Sequence, residues 1–186
     1  NITINKGKTL DILGNYLQVT SSYVDTNGTF ELYGDGDNQT VSLTMYETDG
    51  LTKYVGSGTY ANCLPSGISG AYYDLDFASK SSGDWTLASA LDVERHLTIS
   101  AGTLSVEGSQ DWGINVGGNW DATGGVFTSG TGTVTFDGGS KQTLTSGGVD
   151  GEHDFDTIVI WGSEVETDSN LKAVNITINN GKTLDI

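Results

Sequence analysis

Cysteine, proline, methionine and arginine each occur once in this 186-residue chain, and each scarcity excludes something. A lone Cys63 rules out an intrachain disulfide framework. It leaves two roles for that thiol, a small buried hydrophobe or a cross-link between two copies in an oxidising compartment. Arg95 and seven scattered lysines face 24 acidic residues, for a net charge of −16. Nucleic acid and anionic lipid need clustered cations that displace counterions, so neither is an expected partner. No apolar run approaches the ~20 residues that span a bilayer as a helix, which argues against membrane insertion. The start has no initiator Met, basic segment or apolar stretch of the signal-peptide kind, so the chain reads as a mature or excised piece. Also missing are a Gly-x-Ser-x-Gly elbow, a His-Glu-x-x-His pair, a phosphate loop and zinc-spaced Cys/His sets, and no enzyme is expected.

What is abundant is glycine, at 27 residues, together with Thr, Ser, Asn and Asp. Between these polar stretches, Val, Ile, Leu and aromatics recur in short alternating groups such as TFELY (29–33), HLTIS (96–100), GTVTFD (132–137) and FDTIVIW (155–161). Alternation with period two puts every second side chain on a buried face, the mark of a strand. Helical spacing is nearly absent, its best candidate being ALDVER (90–95). The expected class is all-β, with many short strands and turns.

The chain also repeats itself. NITINKGKTLDI (1–12) returns as NITINNGKTLDI (175–186), eleven of twelve residues matching at an offset of 174. Fainter echoes link the halves: LTISAGTLSV (97–106) follows ITINKGKTLDI (2–12), and GTVTFDGGSKQTL (132–144) follows GTFELYGDGDNQTV (28–41). Two diverged sub-repeats are therefore expected, 1–95 and 96–174, with 175–186 opening the next period of a tandem array. Stretch 46–71, which carries Cys63, lacks a counterpart and reads as an insertion in the first sub-repeat.

Two architectures suit such a pattern. A parallel β-helix, or β-solenoid, stacks coils of ~20 residues with small residues at the corners. A tandem of antiparallel β-sandwiches is the alternative, but its tight two-residue hairpins are not consistently present here. GGNWDATGGVFTSGTGTVTFDGGSKQTLTSG (117–147), followed by FDTIVIW and NITINNGKTLDI, resembles the β-strand repeats of large bacterial and archaeal cell-surface proteins. The likeness covers most of 96–186, more faintly 1–45 and 72–99, and not the insertion. It implies a β-solenoid in a stalk, adhesin, or filament or sheath subunit, and brings no catalytic residues. The expected role is a structural repeat unit of an extracellular or cell-surface protein, whose partners are further copies of itself.

Asn1, Asn27, Asn38 and Asn175 each open an Asn-x-Thr sequon and are candidates for glycosylation. Asp35, Asp37 and Asn38 crowd a Gly-flanked loop, while Asp150, Glu152, Asp154 and Asp156 alternate along VDGEHDFD. If extended, the latter would put four carboxylates on one face, with His153 opposite, as an oxygen-rich site for Ca²⁺. The rival functional reading is an adhesin segment whose insertion binds a glycan or host surface through Tyr54, Tyr60, Tyr72 and Tyr73.

Overall fold

The computed structural model describes all residues except 1, 14, 16, 35–40, 46–48, 61–71 and 107–111, and only the backbone of 18–26 and 41–45. About half of the chain is strand and none of the described residues is helical. The strands follow one another as β1 (Ile2–Ile4), β2 (Thr9–Asp11), β3 (Leu17–Thr26), β4 (Thr29–Leu32), β5 (Val41–Met45), β6 (Leu51–Tyr54) and β7 (Thr59–Tyr60). The middle holds β8 (Asp74–Ala78), β9 (Asp84–Thr86), β10 (Leu91–Val93), β11 (Leu97–Ala101), β12 (Thr103–Ser105), β13 (Ile114–Val116), β14 (Trp120–Asp121) and β15 (Val126–Thr128). Then come β16 (Thr133–Phe136), β17 (Gln142–Thr145), β18 (Phe155–Ile160), β19 (Glu164–Thr167), β20 (Ala173–Ile178) and β21 (Thr183–Asp185).

Every pairing among the described strands is parallel. One sheet of nine strands runs the whole length in the order β2-β4-β6-β8-β11-β14-β17-β19-β21. A second face carries β1-β3-β5 and, further along, β10-β13-β16-β18-β20, while β7-β9-β12-β15 form a third. Parallel neighbours need a crossover, and here it is the rest of one coil: Leu97 lies beside Leu75, 22 residues back, and Trp120 beside Leu97. This is the parallel β-solenoid expected from the sequence, and the antiparallel alternative does not apply. Residues 51–60, inside the stretch without a counterpart, supply β6 and β7, one rung of these same sheets.

Stacking in register turns the buried half of each strand into columns. Leu91, Ile114, Val134 and Ile158 form one, and Val93, Val116, Phe136 and Ile160 another, all buried. Each such aliphatic side chain contributes roughly 1.5–3 kcal/mol on leaving water. Aromatics fill the wider parts. Tyr54 stacks on Phe77 at 5.2 Å, with Trp85 against both, and Trp120, Phe127 and Phe155 make a second cluster at 4.8–5.4 Å.

The corners explain the glycine. Gly117, Gly138 and Gly162 succeed one another where the second face turns into the long sheet, and a Cβ on any of them would strike the backbone of the corner before it. At the next corner, Cβ atoms on Gly102 and Gly125 would sit 2.5 and 2.7 Å from the carbonyl oxygens of Gly83 and Gly102. Gln142 locks the first corner from inside. Its Nε2 donates to the carbonyl of Val116 at 2.8 Å and to that of Gly118, and its Oε1 accepts from Gly138 N at 3.0 Å. The amide is buried and satisfied on both sides.

Two outcomes follow for stability, both read by urea denaturation. Gly162→Val loses about 3 kcal/mol or more, because its neighbour there is backbone, whereas Gly139→Ala, with open space around it, stays within about 0.5 kcal/mol. Gln142→Leu leaves buried carbonyls and an N–H unpaired and loses about 2–4 kcal/mol.

Candidate functional site

The repeated dodecapeptide occupies both ends of the stack. Residues 2–11 form β1, a turn and β2, and residues 173–185 form β20, a turn and β21. β2 and β21 are the first and last strands of the nine-stranded sheet. The turns close alike: Lys8 N donates to Asn5 O at 2.9 Å, and Lys182 N to Asn179 O at 3.0 Å. Their third residues, Gly7 and Gly181, have φ of 70° and 74°, where a side chain would be strained. The single difference between the copies, Lys6 against Asn180, falls on an exposed turn position. One phrase of sequence thus builds one and the same rung twice, eight strand-to-strand steps apart in a single sheet.

The two copies are flanked differently. The first is followed by β3 and β4, with Ile2 beside Val24 and Leu10 beside Phe30. The last is preceded by β18 and β19, with Ile176 beside Ile158 and Leu184 beside Val165. The outer side of the nine-stranded sheet carries ion pairs that join rungs: Lys53 to Asp76 at 3.2 Å, Arg95 to Asp74 at 3.1 Å, and Lys141 to both Glu164 and Glu166 at 2.8 Å. Arg95 also lies over the Tyr73 ring at 5.1 Å. Exposed pairs of this kind each contribute about 0–1 kcal/mol.

Of the sequons, Asn27 is exposed in the turn between β3 and β4, and Asn175 is exposed in β20, its amide 3.5 Å from Thr157 Oγ1. Asn1, Asn38, Asp35, Asp37 and Cys63 lie outside the described residues. The acidic run is only partly extended. Residues 149–153 are bent, with Gly147 and Gly151 at φ of 92° and 91°, and β18 begins only at Phe155. Asp150 accepts from Glu152 N, Asp154 pairs with Lys172, and Asp156 accepts from Thr157 Oγ1. Among the described residues, no three acidic, His or Cys side chains converge as metal ligands.

His153 does not face away from this run. Its Nδ1 meets Asp150 Oδ1 at 2.8 Å and its Nε2 meets Gly125 O at 2.8 Å, fastening the loop onto an earlier rung. Burial disfavours the charged ring, yet these two bonds and the negative charges of Asp150 and Glu152 together outweigh it and raise the pKa above the ordinary histidine value. The bond from His153, then that from Glu152 N, lowers the Asp150 carboxyl. His96 is the opposite case. Burial lowers it, more than the Asp74 charge raises it, Arg95 adds to the lowering, and its Nδ1 accepts from Asn119 N at 2.9 Å. Beside His153 lies an open groove of about 630 Å³ over the corner glycines, edged by Ser82, Asp84, Thr103 and Thr123.

The four tyrosines are not a surface cluster. Tyr54 and Tyr72 are buried, their hydroxyls hydrogen-bonded at 2.8 Å, and present no ring to a sugar. Tyr60 stacks on Trp85 at 5.9 Å, and Tyr73 lies under Arg95. Among the described residues, the aromatic ring that does face solvent is Trp161, 64% exposed. No protein-family model matches the chain, and no curated protein or solved structure is significantly similar to it.

The histidines make the pH behaviour checkable by NMR titration. His153 titrates above its ordinary pKa of about 6.5 and His96 below it. The His153 latch is whole below about pH 6.5 and is lost as pH rises through the raised folded value. Asp150→Asn moves the His153 titration downward, and its effect on stability is larger at pH 6 than at pH 8.

Proposed function

We propose that this chain is a structural repeat unit: one period of an extracellular β-solenoid array that forms a stiff stalk, filament or sheath at a cell surface. The observation that carries the reading is the twice-built rung, the repeated sequence forming strand, turn and strand over 2–11 and again over 176–185, at the first and last strands of one sheet. A sheet that returns to its starting rung is a period in space as well as in sequence. The likeness of most of 96–186 to surface-protein repeats supports the location, and a net charge of −16 suits a rod that must stay soluble when crowded. The task is mechanical. Hydrogen-bond ladders and a narrow apolar core resist bending, and the next period adds length without a new type of contact.

Electron microscopy of chains holding one, two and three periods checks this. Eight strand-to-strand steps at ~4.8 Å predict stiff rods that lengthen by about 38 Å per period. Separate beads on flexible links would overturn the reading.

A further inference from the structure

The buried columns of the second face continue into the last rung, and there they change character. Leu91, Ile114, Val134 and Ile158 are at most 2% exposed, but Ile176, next in the column, is 43% exposed. Val93, Val116, Phe136 and Ile160 are at most 1% exposed, and Ile178, which follows them, is 48% exposed. Ile4 is the same residue as Ile178 in the other copy, and it is only 5% exposed. Sequence, strand and turn are common to the two. What differs is the neighbour: Ile4 is covered by the rung made of β3 and β4.

That cover is specific. Asn27 N donates to Ile4 O at 2.9 Å and Thr29 N to Lys8 O at 2.8 Å, so the second rung reads the carbonyls on either side of the first rung's turn. Gly28 sits between these two donors. A Cβ there would strike the carbonyls of Lys8 and Asn5 and come within 2.8 Å of Ile4 Cγ2, so the turn of one rung nests on the turn of the next only through glycine. Ile178 O and Lys182 O are the same two acceptors one period on. Between them, the two copies display both neighbours of this rung: residues 155–167 on one side and residues 17–32 on the other.

We propose that the outer edge of the last rung, residues 173–186, receives residues 17–32 of another period of this same sequence. The register is that of the first rung: 176 beside 24, 177 beside 25, 178 beside 26, and 183–185 beside 29–31. Gly28 of the incoming period lies on the turn 179–182. The proposal rests on the array reading and adds the partner surface, the register and the residue that admits it.

The test uses the full chain with residues 13–186 repeated directly after Ile186, and Cys63→Ser in both periods. Thr9→Cys with Thr29→Cys in the first period, a pair known to be adjacent, sets the reference rate of oxidative cross-linking. Thr183→Cys with second-period Thr29→Cys is expected to cross-link within about twofold of that rate, since parallel partners have Cα atoms within disulfide reach. Pairing Thr183→Cys with second-period Glu31→Cys, two residues out of register, is expected to fail. Adding Gly28→Val to the second period alone abolishes the junction cross-link and leaves the reference pair unchanged. A junction rate more than about tenfold below the reference, or equal cross-linking of the shifted pair, overturns the proposal. If rods still lengthen in the microscope while this cross-link fails, the register is wrong and the array stands. Beads without a cross-link sink both.

Discussion

Each rung of this protein is held by hydrogen bonds to the rung before it and the rung after it, in parallel and in register. That constraint governs the rest. Strands about 4.8 Å apart place side chains in register over their counterparts in the previous coil, apart from shifts between β8 and β11 and between β3 and β5, so burial is inherited along a column and not decided residue by residue. It explains why isoleucine, valine and leucine recur along one column and why aromatics gather where the coil is wide. It explains the glycines too. A corner that lies on another corner at strand spacing has no room for a Cβ, and Gly117, Gly138 and Gly162 meet that limit in succession.

Polar groups obey the same geometry. Gln142 is buried because its amide spans two coils and satisfies a donor and acceptors on both. On the outer side of the long sheet, several of the few cations stand between rungs and offset the surplus of carboxylates: Lys141 holds Glu164 and Glu166, and Lys53 holds Asp76. His153 likewise ties a loop to a rung 28 residues earlier in the chain, through Gly125 O.

Much of this architecture was legible in the sequence, and what was not has a physical reason. Period-two alternation in TFELY or GTVTFD marks strands wherever they occur, and the recurrence of NITINxGKTLDI marks the rung that is built twice. Alternation is silent about which face a strand joins, because all faces of a solenoid bury alternate residues alike. The echo between LTISAGTLSV and ITINKGKTLDI therefore misled: Leu97–Ala101 belongs to the long sheet, whereas Ile2–Ile4 lies on the second face. Tyr54 and Tyr72 sit in stretches that look polar and aromatic, as a binding surface does, yet their places on the rungs put both rings in the core. The first acids of VDGEHDFD are not extended because positive-φ glycines bend the chain around them, Asp156 alone of the four joins β18, and His153 turns inward to hold the bend.

The regular spacing of the rungs has a consequence under load. Leu75, Leu97 and Trp120 are successive neighbours in the stack and also lie 22 and 23 residues apart in the chain. Tension applied at one end peels the outermost rung while the others keep their partners, because the strand pairings among the described residues join each rung only to its immediate neighbours. Each peeled rung frees a loop worth roughly 70 Å of extended chain at ~3.3 Å per residue. A body built this way is stiff until it yields. It then lengthens in discrete, nearly equal increments, a molecular ratchet of slack that absorbs a pull without the whole structure letting go.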